Sequence, residues 1–82
     1  YASSDNRFHN FDTAARISNT TPHQALWGFA MKHFVSVQDL VGNPESATPE
    51  LVNEKIGDMI NYLILLEGLF NRDFNKKLEI QE

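Results

Sequence analysis

The sequence predicts an all-α protein, an antiparallel bundle of three main helices, and three observations carry that prediction. Thr21-Pro22 and Thr48-Pro49 are both helix-start signals, a hydroxyl cap followed by proline at the first helical position. Apolar residues recur three and four apart through most of the chain, the spacing of a helical face. No β-rich block interrupts them.

The first helix is expected from about Asp5 to Ile17. Ser4 or Asp5 can cap it, because a short side-chain acceptor satisfies the free amides of a first turn. Phe8, Phe11 and Ala15 fall on one stripe, and Asn19-Thr20 ends the helix. The second helix opens on Thr21-Pro22-His23-Gln24, where glutamine completes a capping box, and runs to about Val41. Gly42 is expected to supply a left-handed stop, with Pro44 forbidding continuation. After a loop over Asn43–Ala47, the third helix runs from Thr48-Pro49-Glu50 to about Phe70. From Ile56 to Phe70 it is apolar on most sides, so two of its faces want partners. Residues 1–70 therefore form the expected bundle domain, and residues 71–82 a polar C-terminal tail.

Composition narrows the function. A chain of 82 residues holds at most one domain, with a marginal core. It has no cysteine, so disulfides, zinc–thiolate sites and thiol nucleophiles are excluded. Self-association is the expected support for so small a core, and a homo-oligomer would cover the second face of the third helix. The net charge of −4, with scattered basic residues, argues against direct nucleic-acid binding. No apolar run approaches the roughly 20 residues of a membrane span, and no signal peptide is visible.

Most catalytic motifs are absent. No serine stands in a nucleophile elbow, and the four glycines are isolated from one another, so no phosphate loop exists. One constellation remains. Glu54, Asp58 and Asn61 form a narrow stripe on the third helix that continues into Leu65 and Gly68. Lys32, Ser36 and Asp39 form a similar stripe on the second, preceded by Ala25 and Phe29. Antiparallel packing across the short loop sets Ser36 level with Glu54 and Lys32 level with Asp58. Asp39, Glu54 and Asp58 then converge as oxygen donors suited to Mg²⁺, which takes one or two carboxylates together with waters and substrate phosphates. Set against this, Glu54 and Asp58 lie opposite the main apolar stripe of their helix (Val52, Ile56, Met59, Leu63, Leu66, Phe70). The ordinary reading there is a solvated face, with Lys32–Asp58 a weak ion pair. His33 reads as a core histidine and His23 as an exposed first-turn residue. Trp27, Met31 and Phe34 read as core and oligomer contacts, and Arg7 and Asn10 as surface.

The order Tyr1…Asp5…Asn10-Phe11…Ala14-Ala15, Pro22…Ala25-Leu26, Lys32-His33…Ser36…Asp39, Glu54-Lys55-Ile56-Gly57-Asp58…Asn61-Tyr62 resembles a set of small phage and prophage proteins over residues 1 to about 67. More broadly, Gly57-Asp58 followed by Met59-Ile60-Asn61-Tyr62-Leu63 is similar to the second motif of the MazG-like all-α nucleoside triphosphate pyrophosphohydrolases, E-x-x-D. The last glutamate of their first motif, E-E-x-x-E, falls at Asp39. The resemblance implies a phage- or prophage-encoded protein of the bacterial cytoplasm, oligomeric, acting on (d)NTPs with Mg²⁺. It further implies a helix preceding the segment that begins here. On this reading Asp58, Glu54 and Asp39 ligate the metal, Asn61 orients ligand or water, Ser36 stands with Asn61 in the cofactor-binding set, and Lys32 contacts phosphate. The chain departs from the pattern where Lys55 stands in place of the E-x-x-D glutamate and where Ser36 and Ala30-Met31 replace expected carboxylates. The expectation is therefore a Mg²⁺-dependent pyrophosphohydrolase or a nucleotide-binding derivative. The alternative is a non-enzymatic phage protein that binds or sequesters a host protein or signalling nucleotide.

Overall fold

A computed structural model describes residues 6–81, and the side chains of residues 7–78. The described residues are all-α: a 3₁₀ turn over Asn6–Phe8, then α1 (His9–Ser18), α2 (Pro22–Gly42), a second 3₁₀ turn over Pro44–Ser46, and α3 (Pro49–Gln81). α2 and α3 form a long antiparallel hairpin, and the short α1 lies against it.

Each boundary has a local cause. The Thr21 Oγ1 accepts from the Gln24 amide at 3.1 Å, and Gln24 Oε1 accepts from the Thr21 amide at 3.1 Å, so the capping box is complete. The Leu51 amide donates to Thr48 Oγ1 at 3.1 Å in the same way at the start of α3. Asn19 closes α1 in the left-handed region, with φ 58°, a conformation asparagine tolerates well.

Three boundaries differ from the sequence expectation. The caps assigned to Ser4 and Asp5 lie outside the described residues, and within them the first helix begins as a 3₁₀ turn, with α-geometry from His9. Gly42 is not a left-handed stop. It stays helical, and no glycine of the described residues has positive φ. Asn43 makes the turn instead, with φ −143° and ψ 65°, outside the helical region that a following proline disfavours. Its amide still reaches the Asp39 and Leu40 carbonyls at 3.1 and 3.3 Å. The third helix does not end near Phe70. It continues to Gln81, because no breaker follows Gly68 and because Arg72 and Asp73 are held by the other two helices.

The core is small. Phe8, Phe11, Leu26 and Leu69 cluster at its centre, with Tyr62, Leu65 and Leu66 packed against them, and Ala15 and Ala30 are also buried. Leu26 and Leu69 are fully buried, worth about 1.5–3 kcal/mol each. A Cβ at Gly68 would stand 3.2 Å from the Phe8 ring, so glycine lets α1's entry turn approach α3 closely. Arg7 and Arg72 both lie over the Phe8 ring, at 4.8 and 5.2 Å from its centroid.

A second tie crosses the same junction. Arg72 donates through both terminal nitrogens to the two Asp12 oxygens, each at 3.0 Å. These hydrogen bonds hold the Asp12 carboxyl below its ordinary value, with the charges of Arg72, Arg16 and Lys76 assisting against desolvation. A carboxyl depressed in the folded state stabilises the fold above its unfolded value of about 4 and loses that contribution as pH falls through the folded value. Urea unfolding at about pH 7 and about pH 3 tests this: Asp12→Asn should be less stable than wild type at the higher pH, by about 1 kcal/mol, and the gap should close at the lower.

Candidate functional site

The hairpin has two long grooves, one on each side of the line where α2 meets α3. α1 occupies one of them. Its Phe11 ring meets Phe29 of α2 edge-on, with centroids 5.8 Å apart, and Tyr62 of α3 at 6.4 Å, while Phe8 and Arg7 lie against Gly68. Both sequence-predicted stripes run through these contacts. Phe29 leads along α2 to Lys32, Ser36 and Asp39, and Gly68 leads back along α3 to Leu65, Asn61, Asp58 and Glu54. The two stripes therefore face the same groove. α1 fills its apolar end, and the polar end lies nearer the loop.

The antiparallel register is close to the expected one, but the helices meet one residue away on α2. The side chain across from Asp58 is His33, with Nδ1 3.7 Å from Asp58 Oδ2, beyond hydrogen-bond distance. His33 also stacks on Tyr62, with centroids 4.7 Å apart and planes at 29°. His33, Asp58 and Tyr62 are all half-buried. Phe29, Phe11, Tyr62 and His33 thus form a continuous aromatic chain through all three helices, and its last ring faces the carboxylate.

Lys32 is exposed on the flank, its Nζ 5.9 Å from the Phe29 ring centroid. Ser36 is half-buried, and its hydroxyl donates to the Lys32 carbonyl at 3.2 Å. Asp39, Glu54 and Asn61 are exposed. Among the described residues, no group of three or more histidine or carboxylate side chains comes together closely enough to hold a metal ion. Asp39, Glu54 and Asp58 share a groove without forming a cage, so they do not fit a resident Mg²⁺ held by protein ligands alone.

Two members of the cluster were not singled out by sequence reasoning. The sequence reads His33 as a core histidine, yet one residue of register decides whether it or Lys32 meets Asp58. Tyr62 stood only within a motif. Its signal was its place one residue after Asn61, where the polar stripe borders the core face. Comparison with protein-family models, with curated proteins and with solved structures gives no match for this chain.

The aromatic chain makes Tyr62 the residue on which the site's geometry depends. Tyr62→Leu removes two ring contacts, each worth about 0.5–1.5 kcal/mol beyond burial, and should destabilise the fold by roughly 1–3 kcal/mol in urea unfolding. Tyr62→Phe keeps both rings in contact and should stay within about 0.5 kcal/mol of wild type.

Proposed function

We propose that the chain is a nucleotide-binding derivative of the MazG-like class, whose ligand is a nucleoside triphosphate that arrives with its own Mg²⁺. The observation that carries this reading is the His33–Asp58–Tyr62 cluster at the head of a polar groove, with Lys32, Ser36, Asn61 and Glu54 around it. A bare triphosphate would be repelled by Asp39, Glu54 and Asp58. A magnesium–nucleotide complex asks less of the protein than a resident site does, one or two oxygen donors, since phosphates and water supply the rest. Asp58 and Glu54 are the donors in this reading, one turn apart on α3. Lys32 contacts phosphate, and Asn61 and Ser36 orient the ligand. His33 acts as a positioning residue, holding the Asp58 carboxylate from across the groove. Lys55 in place of the motif glutamate and Ser36 in place of a carboxylate favour binding over turnover.

A second reading, a non-enzymatic protein that engages another macromolecule, is favoured by one observation: large apolar side chains of α2 and α3 stand exposed.

Titration of a fluorescent dATP analogue with and without Mg²⁺, alongside a pyrophosphate-release assay over the common (d)NTPs, tests the proposal. Saturable binding that requires Mg²⁺, weakened at least about tenfold by Asp58→Asn with helix content unchanged, is the expected result. Release of pyrophosphate that Asp58→Asn abolishes would instead establish a complete enzyme. Absence of binding by a folded protein would leave the second reading.

A further inference from the structure

Where α1 turns into α2, an open depression of about 670 Å³ lies against the C-terminal part of α3. Asp12 and Arg16 stand four residues apart on α1, and Arg72 and Lys76 four apart on α3, so each pair shares one helix face. All four side chains line the depression, and Asn19 and Thr20 of the turn stand at it, exposed. The charges of Arg72, Arg16 and Lys76 all act on the Asp12 carboxylate, which places the three cations around one point.

The charge here runs against that of the chain. The protein has 11 acidic and 7 basic residues and a net charge of −4, yet this lining holds three basic side chains and one acidic. Arg72 gives both terminal nitrogens to Asp12, each at 3.0 Å, so the one carboxylate is already matched. Two positive charges remain. The Arg16 guanidinium reaches Thr13 Oγ1 of its own helix at 3.5 Å. Among the described residues neither Arg16 nor Lys76 meets a carboxylate within ion-pair distance. Arg16 lies in the last turn of α1, where a cation offsets the helix's negative end, an ordinary structural role. Lys76 has no such role, since it stands before the last turn of α3. Two like charges beside one depression repel each other until an anion enters it.

We propose that this depression binds a small molecule through a phosphate monoester, without a metal ion. Such a group carries a charge of about −1.5 to −2 at neutral pH and three strong acceptor oxygens, which matches the two remaining cations. A carboxylate would leave one of them unmatched. A guanidinium from α1 and an ammonium from α3 supply the donors, and the Thr20 hydroxyl stands beside them. The volume falls within the roughly 300–1,000 Å³ of small-molecule sites, so there is room for the group that carries the phosphate. The site is separate from the polar groove, because Arg72 follows Asp58 by 14 residues, about 21 Å of helix. No metal is called for, since the lining's one carboxylate is taken by Arg72.

The inference does not rest on the nucleotide reading, and its test is run in a metal chelator, where that reading expects no binding. Amide chemical shifts of the labelled full chain are followed while ribose 5-phosphate is added at fixed ionic strength, with inorganic phosphate and ribose as parallel probes. Ribose 5-phosphate should give saturable shifts centred on residues 16, 19, 20, 72 and 76. Inorganic phosphate should shift the same residues, and ribose should shift none. Arg16→Gln and Lys76→Gln, both at exposed positions, should each raise the dissociation constant at least about fivefold with helix content unchanged. Raising the chloride concentration should weaken binding further. Shifts that never saturate overturn the inference, as does equal binding by both variants and wild type. Shifts produced by ribose alone, or centred on residues 54–62, overturn it as well.

Discussion

Everything in this molecule follows from the shortness of α1. It has ten residues, about 15 Å of helix, against a hairpin whose shorter arm, α2, has 21 residues and spans about 31 Å. α1 can therefore bury only the open end of one groove. It does so with Phe11 and Ala15, together with Phe8 of the preceding 3₁₀ turn, and it is held there by the paired Asp12–Arg72 hydrogen bonds and by Gly68, which admits the Phe8 ring. The fully buried residues Leu26 and Leu69 mark the depth of that contact. The remaining surface of the hairpin is polar on one side and apolar on the other.

The polar part is the loop-side half of α1's own groove, where Lys32, Ser36, Asn61, Asp58 and Glu54 stand beyond the last ring of the aromatic chain. A half-buried carboxylate facing an imidazole that is stacked on tyrosine is a fixed arrangement, positioned by α-helices rather than loops. The apolar part is the opposite groove. In isolation it leaves Trp27, Met31, Leu63 and Phe70 partly in water, which a marginal core has little stability to offset. Polar and apolar surface thus occupy different sides of the same two helices. No helix among the described residues is long and apolar enough to cross a membrane.

The helical class and two of the three helix starts were legible because their signals are local. Thr21-Pro22…Gln24 and Thr48-Pro49 need nothing beyond their own side chains and amides. The inward stripe Phe8, Phe11, Ala15 was legible for a similar reason, one face of one helix. What failed was non-local. The stripe Val52, Ile56, Met59, Leu63, Leu66, Phe70 is the most apolar line of α3 and would be placed inward by periodicity alone, yet Val52, Ile56, Leu63 and Phe70 are exposed and Met59 only half-buried, while Leu66 packs against a core centred on the Tyr62, Leu65, Leu69 side. Periodicity reports that a face is apolar and not which neighbour covers it. The end of α3 was missed because Arg72 and Asp73 look like tail residues until their partners Asp12 and His23 are brought beside them. The register of the candidate site was right to within one residue, and in a helix one residue is about 100° of rotation, enough to exchange Lys32 for His33.

The most direct test of the account is to map where a nucleotide touches the folded chain. Amide chemical shifts of labelled protein, followed while Mg²⁺–dATP is added, report every backbone position at once. The account predicts perturbations concentrated on residues 32, 33, 36, 54, 58, 61 and 62, with Trp27, Met31 and Phe70 unmoved. Perturbations centred on Trp27 and Phe70, or none at saturating nucleotide, would contradict it.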